Sequence, residues 1–434
     1  MMKDQNKNYW KTIKSLRKNN YNSTSTVDGH DNNLEIANHF RDKFCTLFNS
    51  VRSCSKKLNL IEECISDREH NVCNNFTNDN AYHCHTICQK DVQKAIFKLK
   101  SNKIDEDGML FSDNCIHGTE LLYMYISQLF TAMICHGFAP TALLKSTMIP
   151  IPKGARANLL DSNMYRSIAI SSLLCKILDN IIIERQAIAL STSDYQFGFK
   201  SGSSTVLCST MVIETIQYYL ENGGKSVYLV LLDASKAFDR VSYDIMFKLL
   251  LERNVCPRII RLLYYMYTNQ KCNVKWEKEL SDPFNVSNGV KQGGVISPLL
   301  FSIYIDNLFA ALKQLGLGCH VGLTYAGAFG YADDIALISP SIYGIKKMIA
   351  VCESYALEYH ITFNPTKSKI ICFNVDPSEC TPIYLNNQPI TFVNSDKHLG
   401  NYISSDITDR NIMSSVCDFY QRSNSILVCV IANL

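Results

Sequence analysis

The chain has 434 residues and a formal net charge of +3, with 43 lysines and arginines against 40 aspartates and glutamates. Apolar residues make up 47% and charged residues 19% of the sequence, a balance that is typical of globular proteins and excludes a disordered chain. A chain of this length can fold into two or three domains with ample core. The small net charge does not by itself predict nucleic-acid binding, which would need locally basic surfaces.

The cysteines and the apolar runs bear on the compartment. The 18 cysteines show no repeated pair spacing and follow no signal peptide, so we expect reduced thiols in an intracellular protein of the nucleus or cytoplasm. No apolar run reaches the ~18 residues that would span a bilayer, so we expect no membrane contact. His83, Cys84, His85 and Cys88 lie close together, but no second half-site completes a zinc site, which favours ordinary side chains.

The first part of the chain reads as a basic extension. Residues 1–20 have the pattern of a basic amphipathic helix, with either a solvated face or a template contact. Residues 34–50 repeat apolar positions at helical spacing and predict a second helix. Residues 51–85 look irregular and polar.

From residue 90 the periodicity becomes clearer. We predict a short helix over 91–100 and a long helix over 119–136. A proline-interrupted edge strand is expected over 148–154 and a further helix over 175–189. Residues 194–205 mix glycine and serine with aromatic residues, which indicates a loop where backbone approaches a ligand closely.

An apolar run over 227–232 predicts a buried strand that ends on Asp233. A carboxylate at the exit of a buried strand is better placed to face a cleft than to join the core. Helices follow over 243–252, after Ser242 as N-cap, and from Pro257 to Asn269. After a glycine-rich turn, Ser297 is the expected N-cap of a long apolar helix that starts at Pro298.

Residues 329–339, FGYADDIALIS, read as two strands joined by a tight turn with Asp333 and Asp334 at the tip. Two adjacent carboxylates repel each other unless a cation lies beside them, and Mg²⁺ or Mn²⁺ suits such oxygen ligands. A solvated acidic turn is the alternative, since Asp is a common turn residue. Set beside Asp233, the pair could form a three-carboxylate metal cluster.

The chain continues with a helix from the N-cap Ser341 to about residue 358 and a strand over 368–373. The order of strand, helices, hairpin, helix and strand predicts an α+β fold with an antiparallel, ferredoxin-like sheet.

Three strings carry a resemblance: YADD (331–334), DASKAFD (233–239) and GVKQGGVISPLLF (289–301). They resemble the reverse transcriptase domain of non-LTR (LINE-like) retrotransposons, and the segment GHDNNLEIANHF (29–40) favours that group over intron maturases. The resemblance implies a right-hand polymerase. Its expected parts are a connector over 1–89, fingers with first palm elements over 90–225, a palm over 226–400 and a truncated start of the thumb over 401–434.

The resemblance also implies roles for single residues. Asp233, Asp333 and Asp334 would be catalytic and bind Mg²⁺, or Mn²⁺, together with the carbonyl of Ala234. The nucleotide would be bound by five residues: Lys153, Arg166, Phe238, Gln292 and Lys367. Template and primer would be contacted by another five: Gly293, Gly294, Tyr331, Leu399 and Gly400. Ser167 stands where the family usually has proline.

The expected activity is RNA-directed DNA synthesis by two-metal nucleotidyl transfer, with an RNA template, a DNA primer and dNTPs as partners. We expect that other domains of a longer element protein are missing from this chain. One alternative is an inactive retrotransposon remnant that only binds nucleic acid. Another is an RNA-templated RNA polymerase, which shares the palm; the aromatic Phe238 would distinguish it by rejecting a 2′-hydroxyl.

Overall fold

The computed structural model describes residues 26–51, 55–75, 86–105, 110–154, 157–223, 226–376, 378 and 380–406. The basic helix predicted over 1–20, the histidines and cysteine at 83–85, and the thumb segment beyond 406 lie outside these residues. Within them, no helix is long and apolar enough to cross a membrane.

Helices make up much of the described chain. In chain order they are α1 Asn33–Leu47, α2 Ser55–Asn75, α3 Gln89–Phe97, α4 Ser112–Ile116, α5 Glu120–His136, α6 Leu173–Arg185, α7 Thr205–Glu221, α8 Tyr243–Glu252, α9 Pro257–Thr268, α10 Ser297–Gln314 and α11 Ile342–Glu358.

The strands are mostly short. In chain order they are β1 Lys145–Pro152, β2 Tyr165–Ser171, β3 Val227–Asp233, β4 Lys271–Trp276, β5 Glu279–Leu280, β6 Phe284–Asn285, β7 His320–Val321, β8 Thr324–Tyr325, β9 Ala328–Tyr331, β10 Asp334–Ser339, β11 Lys369–Phe373, β12 Tyr384–Leu385, β13 Gln388–Pro389, β14 Thr391–Phe392, β15 Ser395–His398 and β16 Asn401–Ser404.

The central sheet, which we call the palm sheet, has the strand order β14-β11-β3-β10-β9. The β11–β3, β3–β10 and β10–β9 pairs are all antiparallel. Counted along the chain, β3, β9, β10 and β11 therefore stand in the spatial order 4-1-3-2, with α8 to α10 before the hairpin and α11 after it. This βαββαβ arrangement confirms the predicted α+β, ferredoxin-like sheet.

Each face of the palm sheet packs on its own set of helices, because successive strand residues point to opposite faces. Val230 and Leu337 pack into the large core built with α8 to α11. Leu229, Ala336 and Ile338 pack instead with apolar residues of α7. Both faces being covered explains why β3 is apolar along nearly its whole length.

A second sheet has the strand order β2-β1-β4-β5, with β6 beside β4, and α1 packs on it. Phe40 of α1 is fully buried and stacks on Trp276 with ring centroids 5.3 Å apart. The prediction of an edge strand over 148–154 is wrong, since β1 pairs with β2 and with β4. The pairing with β4 stops at Met148, so Pro150 and Pro152 lie where only β2 is paired, which is where a sheet tolerates proline.

Several predicted boundaries also change. Within the segment predicted to be irregular, 51–85, the described residues 55–75 form α2 instead. Glu69 of α2 is held by Arg258 and Arg261 of α9 at 3.0 and 2.7 Å. The helix predicted over 175–189 is α6, shifted toward the N-terminus. Ser297 is not the cap of α10, since the N-cap is Ile296 and makes no side-chain cap bond.

Other local signals hold. Ser341 Oγ accepts a 3.0 Å hydrogen bond from the Gly344 amide and caps α11. Pro257 opens α9, and α8 begins at Tyr243 after Ser242 as predicted. The cap of α8 differs in detail, because Ser242 makes no side-chain cap bond.

A buried carboxylate ties the exit of β3 to the loop before α10. Asp239 is 4% exposed; its Oδ1 accepts from Gln292 Nε2 at 2.7 Å and its carbonyl accepts from Asn288 Nδ2 at 2.7 Å. Burial raises the pKa of Asp239 to about 7, although the hydrogen bond from Gln292 opposes the rise. The two segments are therefore joined through a group that is costly to ionise.

The β9–β10 hairpin, which we call the acidic hairpin, packs tightly on α10. A Cβ added at Gly330 would lie 2.3 Å from Cζ of Phe309, and Phe309 is fully buried. Only glycine fits at this position.

We expect Gly330→Ala to destabilise the fold by about 1–3 kcal/mol, because the added methyl group overpacks a closed core. Urea unfolding of both variants measures the effect. Gly154→Ala is the matched control, since a Cβ there meets nothing within 4 Å. Equal unfolding midpoints for the two alanine variants would contradict the packing.

We expect Asp239→Asn to flatten the pH dependence of stability. The pKa of Asp239 rises from 3.8 to about 7 on folding, so the native state holds a proton that the unfolded state has released, and stability falls as pH rises between these values. The penalty on the charged form is on the order of 4 kcal/mol. Between pH 4 and pH 8 the unfolding midpoint should fall more steeply with pH for the wild type than for Asp239→Asn. Parallel plots of midpoint against pH for the two proteins would argue against a raised pKa of Asp239 in the folded state.

Candidate active site

Strand register brings the acidic residues to one end of the palm sheet. Asp334 of β10 pairs directly with Asp233, the last residue of β3. Asp334 also pairs with Tyr331 of β9, which leaves Ala332 and Asp333 as a two-residue turn. Ala332 has a φ of +58°, the left-handed conformation that such tight hairpins demand at their first central residue. The predicted hairpin is therefore present, but only Asp333 lies in its turn, whereas Asp334 is the first residue of β10.

Burial and neighbouring carboxylates raise the pKa values of the two hairpin aspartates. Burial raises the pKa of Asp333 and the charge of Asp233 adds to the rise, whereas Arg166 and Lys367 oppose it. Desolvation by the surrounding protein and the charges of Asp333 and Asp233 raise the pKa of Asp334 to about 6, although Asp334 is exposed to solvent. Like charges held together without enough neutralisation are typical of functional sites.

Asp333 and Asp334 face different surroundings. Arg166 and Lys367 act against the raised pKa of Asp333. Asp334 acts instead on the Cys208 thiol of α7, whose pKa is raised first by burial and then by the charge of Asp334. Asp333 belongs to the turn and Asp334 to the strand, so their side chains leave the backbone in different directions. Among the described residues, no three His, Cys, Asp or Glu side chains are arranged to hold a metal ion together. The expected three-carboxylate cluster is not assembled here.

The carboxylates of Asp233 and Asp333 nevertheless have the chemistry to bind a divalent cation. Asp233 Oδ2 is buried and accepts no hydrogen bond in the described structure, and the Lys367 Nζ lies 3.5 Å from it, within ion-pair distance. The neighbouring Ala234 lies opposite Phe363 in an antiparallel β-bridge. The hydrogen bonds of this bridge are made by the residues on either side; for example, the Asp233 carbonyl accepts from the Asn364 amide at 2.8 Å. Hard oxygen atoms of this kind suit Mg²⁺ or Mn²⁺.

Basic side chains converge beside these acids. The cluster, which we call the basic cluster, consists of Lys153, Arg166, Lys236 and Lys367. Desolvation by the surrounding protein and the positive charges of the other three side chains of the cluster lower the pKa of Lys153. Arg166 lies in β2, and Lys153 directly follows β1, the strand that pairs with β2. Arg166 Nη1 donates to the Lys153 carbonyl at 3.5 Å. Cations held together against their repulsion form a site for a polyanion.

Ser167 follows Arg166 in β2 and pairs with Pro150 of β1. Its buried Oγ has no hydrogen-bond partner in the described structure. The ladder between β1 and β2 continues through this position, so Arg166 keeps a regular strand backbone without the proline.

The aromatic residues form a platform next to the turn. The ring of Phe238 stacks on Phe301 of α10, with centroids 4.5 Å apart and planes at 19°. Phe199 lies between Phe238 and Tyr331, with centroids at 6.4 and 6.3 Å. It is 48% exposed, so an aromatic surface remains open beside the acids.

The glycine-rich loop before α10 rests on β2. The Gln292 carbonyl accepts from the Ala169 amide at 2.7 Å, and Gly293, with a φ of +105°, would place a Cβ 2.9 Å from the Ala169 carbonyl oxygen. At Gly294 a Cβ would lie 2.5 Å from Ser297 Oγ. These contacts join the loop to the strand that carries Arg166.

Leu399 and Gly400, expected to contact template or primer, form the turn of the hairpin between β15 and β16. Both turn residues have positive φ, 51° and 98°. The hairpin is anchored through His398, whose Nδ1 lies 3.1 Å from Ser209 Oγ on α7, and burial lowers the pKa of His398 to about 4. Contacts join this hairpin to α7 and β11.

Four residues of the site were not singled out from the sequence: Gln196, Phe199, Lys236 and Asp239. Phe199 and Gln196 belong to the 194–205 loop, which was predicted to approach a ligand without naming which side chains act. Lys236 and Asp239 lie within the DASKAFD string. The sequence signal for these two residues is that both are charged and closely follow Asp233. The residues that they act on, Lys153 for Lys236 and Gln292 for Asp239, lie far away in the chain.

Comparison with known proteins adds to this geometry. The family model described as reverse transcriptase (RNA-dependent DNA polymerase) matches residues 151–400. The chain is 22% identical over 343 residues to the RNA-directed DNA polymerase from mobile element jockey of Drosophila funebris, which covers 76% of this chain and 36% of that protein. A telomerase structure from Candida tropicalis, truncated from its C-terminal domain, matches with a TM-score of 0.43 and 16% identity over 69% of this chain and 61% of that one.

Two further relatives come from mobile elements. The Pol polyprotein from the type-1 retrotransposable element R2 of Nasonia vitripennis is 26% identical over 246 residues, 56% of this chain and 23% of that protein. The probable RNA-directed DNA polymerase from transposon X-element of Drosophila melanogaster is 25% identical over 322 residues, 71% of this chain and 34% of that protein. The chain thus spans about a third or less of these relatives. The relatives from jockey, R2 and X-element support a reverse transcriptase domain of the non-LTR retrotransposon type. Because the family model covers more than half of the chain, this protein belongs to the reverse transcriptase (RNA-dependent DNA polymerase) family.

Proposed function

We propose that this chain is an RNA-directed DNA polymerase that extends a DNA primer on an RNA template with dNTPs. One observation carries the proposal: the carboxylates Asp233 and Asp333 lie beside the basic cluster, so a site for cations adjoins a site for a polyanion. A nucleoside triphosphate with its metal ions has this pattern of charge. The names of the relatives support RNA as the template.

Asp233 and Asp333 would hold the divalent metal ions on which this family in general depends, and Mg²⁺, or Mn²⁺, is the one we propose. Bound there, such ions lower the pKa of the attacking hydroxyl and neutralise the triphosphate. The Ala234 carbonyl would complete the coordination shell. Asp334 would act on the site through its charge.

The remaining residues would bind and orient the substrates. Lys153 and Arg166 would hold the triphosphate oxygen atoms, the latter through its forked donors. Lys367, which is 64% exposed and 3.5 Å from Asp233, would stand ready to protonate the departing pyrophosphate. Gln292, fixed by Asp239, would position the base and the nucleotide.

Template and primer would contact the backbone-rich parts of the site. Gly293 and Gly294 would let the template approach the loop before α10, and Tyr331 would face the primer terminus. The Leu399–Gly400 turn would support the primer from the α7 side. In this proposal residues 90–225 act as fingers and 226–400 as palm.

We expect Asp333→Asn to lower the rate of primer extension by at least about 100-fold, because it removes a charged ligand for the metal ions. Extension of a DNA primer on an RNA template with Mg²⁺ and dNTPs measures this. Asp282→Asn is the matched control, since Asp282 is 79% exposed and 4.0 Å from its ionic partner Arg41. Undiminished extension by Asp333→Asn would overturn the assignment. Failure of the wild type, with primer–template binding retained, would favour the inactive remnant.

We expect Phe238→Ala to admit ribonucleotides, because the ring that would pack under the sugar is lost. The ratio of kcat/KM for rNTP to that for dNTP should rise by about tenfold or more. Phe238→Tyr is the control, since it keeps a ring against Phe301 and should keep the discrimination. If the wild type already uses both nucleotide types equally, an RNA-polymerase activity is the better account.

A further inference from the structure

The side chain of Gln196 is fully buried and every polar group on it is used. Its Oε1 accepts from the amides of Ala332 at 2.9 Å and Gly198 at 2.8 Å. Its Nε2 donates to the Ala332 carbonyl at 3.3 Å. One side chain therefore binds both the N–H and the C=O of Ala332, across 136 residues of sequence.

The backbone around Gln196 pairs with the same hairpin. The Phe197 amide donates to the Gly330 carbonyl, and the Gly330 amide donates to the Tyr195 carbonyl, each at 2.8 Å. A Cβ at Gly198 would lie 2.4 Å from the Ala332 nitrogen. The loop 195–198 thus pairs along the edge of the acidic hairpin formed by β9, while Phe309 packs on a face of that hairpin.

Ala332 needs such support. It is 5% exposed, so its peptide groups are shut off from the water that usually satisfies a turn. Its φ of +58° is a conformation that costs a residue with a Cβ free energy. Asp333 follows directly, so the direction of its carboxylate depends on the orientation of the Ala332 peptide.

We propose that Gln196 is a positioning residue that clamps the Ala332 peptide and thereby aims Asp333 at its metal ion. The catalytic part of this inference rests on the proposed function. An amide side chain suits the task because it offers an acceptor and a donor at once. A carboxylate would offer no donor, and an aliphatic side chain would leave both Ala332 groups buried and unpaired.

The kinetic test compares Gln196→Ala with Gln270→Ala. Gln270 is the control because it is also buried, at 2% exposure, and its Nε2 bonds Tyr243 in the core rather than the hairpin. We expect kcat for primer extension to fall about 10- to 100-fold in Gln196→Ala, with KM for dNTP and Kd for primer–template changed less than about threefold. An equal loss of kcat in Gln270→Ala would reduce the effect to general loss of core stability and overturn the proposal.

A second substitution tests the clamp through the turn itself. Glycine adopts positive φ without cost, so Ala332→Gly in the Gln196→Ala background should restore kcat by about fivefold. If Gln196 supported only the core, a glycine in the turn would restore nothing. No recovery in the double variant therefore counts against the clamp.

Amide hydrogen exchange separates this inference from the proposed function, because it requires no catalysis. The Ala332 amide should exchange at least about tenfold faster in Gln196→Ala than in the wild type or Gln270→Ala. If the wild type extends no primer, the proposed function fails while this exchange rate still decides whether the clamp exists. Unchanged exchange at Ala332 would refute it.

Discussion

The antiparallel pairing of β3 with β10 sets Asp233 directly opposite Asp334 and makes one end of the palm sheet a place where like charges are held together. Burial, together with these like charges, raises the pKa values of both hairpin carboxylates. The basic cluster faces the same repulsion with the opposite sign. Each group would gain from a ligand of opposite charge, and a metal-bound triphosphate supplies both kinds at once.

The surrounding fold can be understood as the means of holding this arrangement. Strand order places β3 and β10 at the centre of the palm sheet, covered on one face by α8 to α11 and on the other by α7. Phe309 then packs on the hairpin at Gly330, which leaves room for its ring, and the loop 195–198 pairs along the hairpin's edge, where Gly198 lets it approach Ala332. Rigid packing of this kind is what lets a site keep charged groups close without collapsing or opening.

Local patterns in the sequence predicted much of this structure. The apolar run before Asp233, the tight turn of YADD, the Ser341 cap and the proline at the start of α9 each depend on neighbouring residues, and each is found. The failures concern long-range partners. Helix α2 depends on Glu69 meeting α9, and the proline strand is covered by β4 from more than a hundred residues away.

The candidate site divides in the same way. The acids and three further residues, Lys153, Arg166 and Phe238, could be named from motifs, since their residue types and order carry the resemblance. Gln196 and Asp239 could not, because their partners, Ala332 and Gln292, lie 136 and 53 residues away. Such contacts decide orientation rather than chemistry, and no local periodicity reports them.

The position of Mn²⁺ in a crystal of the protein with a nonhydrolysable dNTP, located by anomalous scattering, tests the central claim most directly. The account predicts an ion about 2.1 Å from carboxylate oxygen atoms of both Asp233 and Asp333, with the triphosphate against the basic cluster. An ordered Mn²⁺ bound to the triphosphate but touching neither aspartate would contradict it.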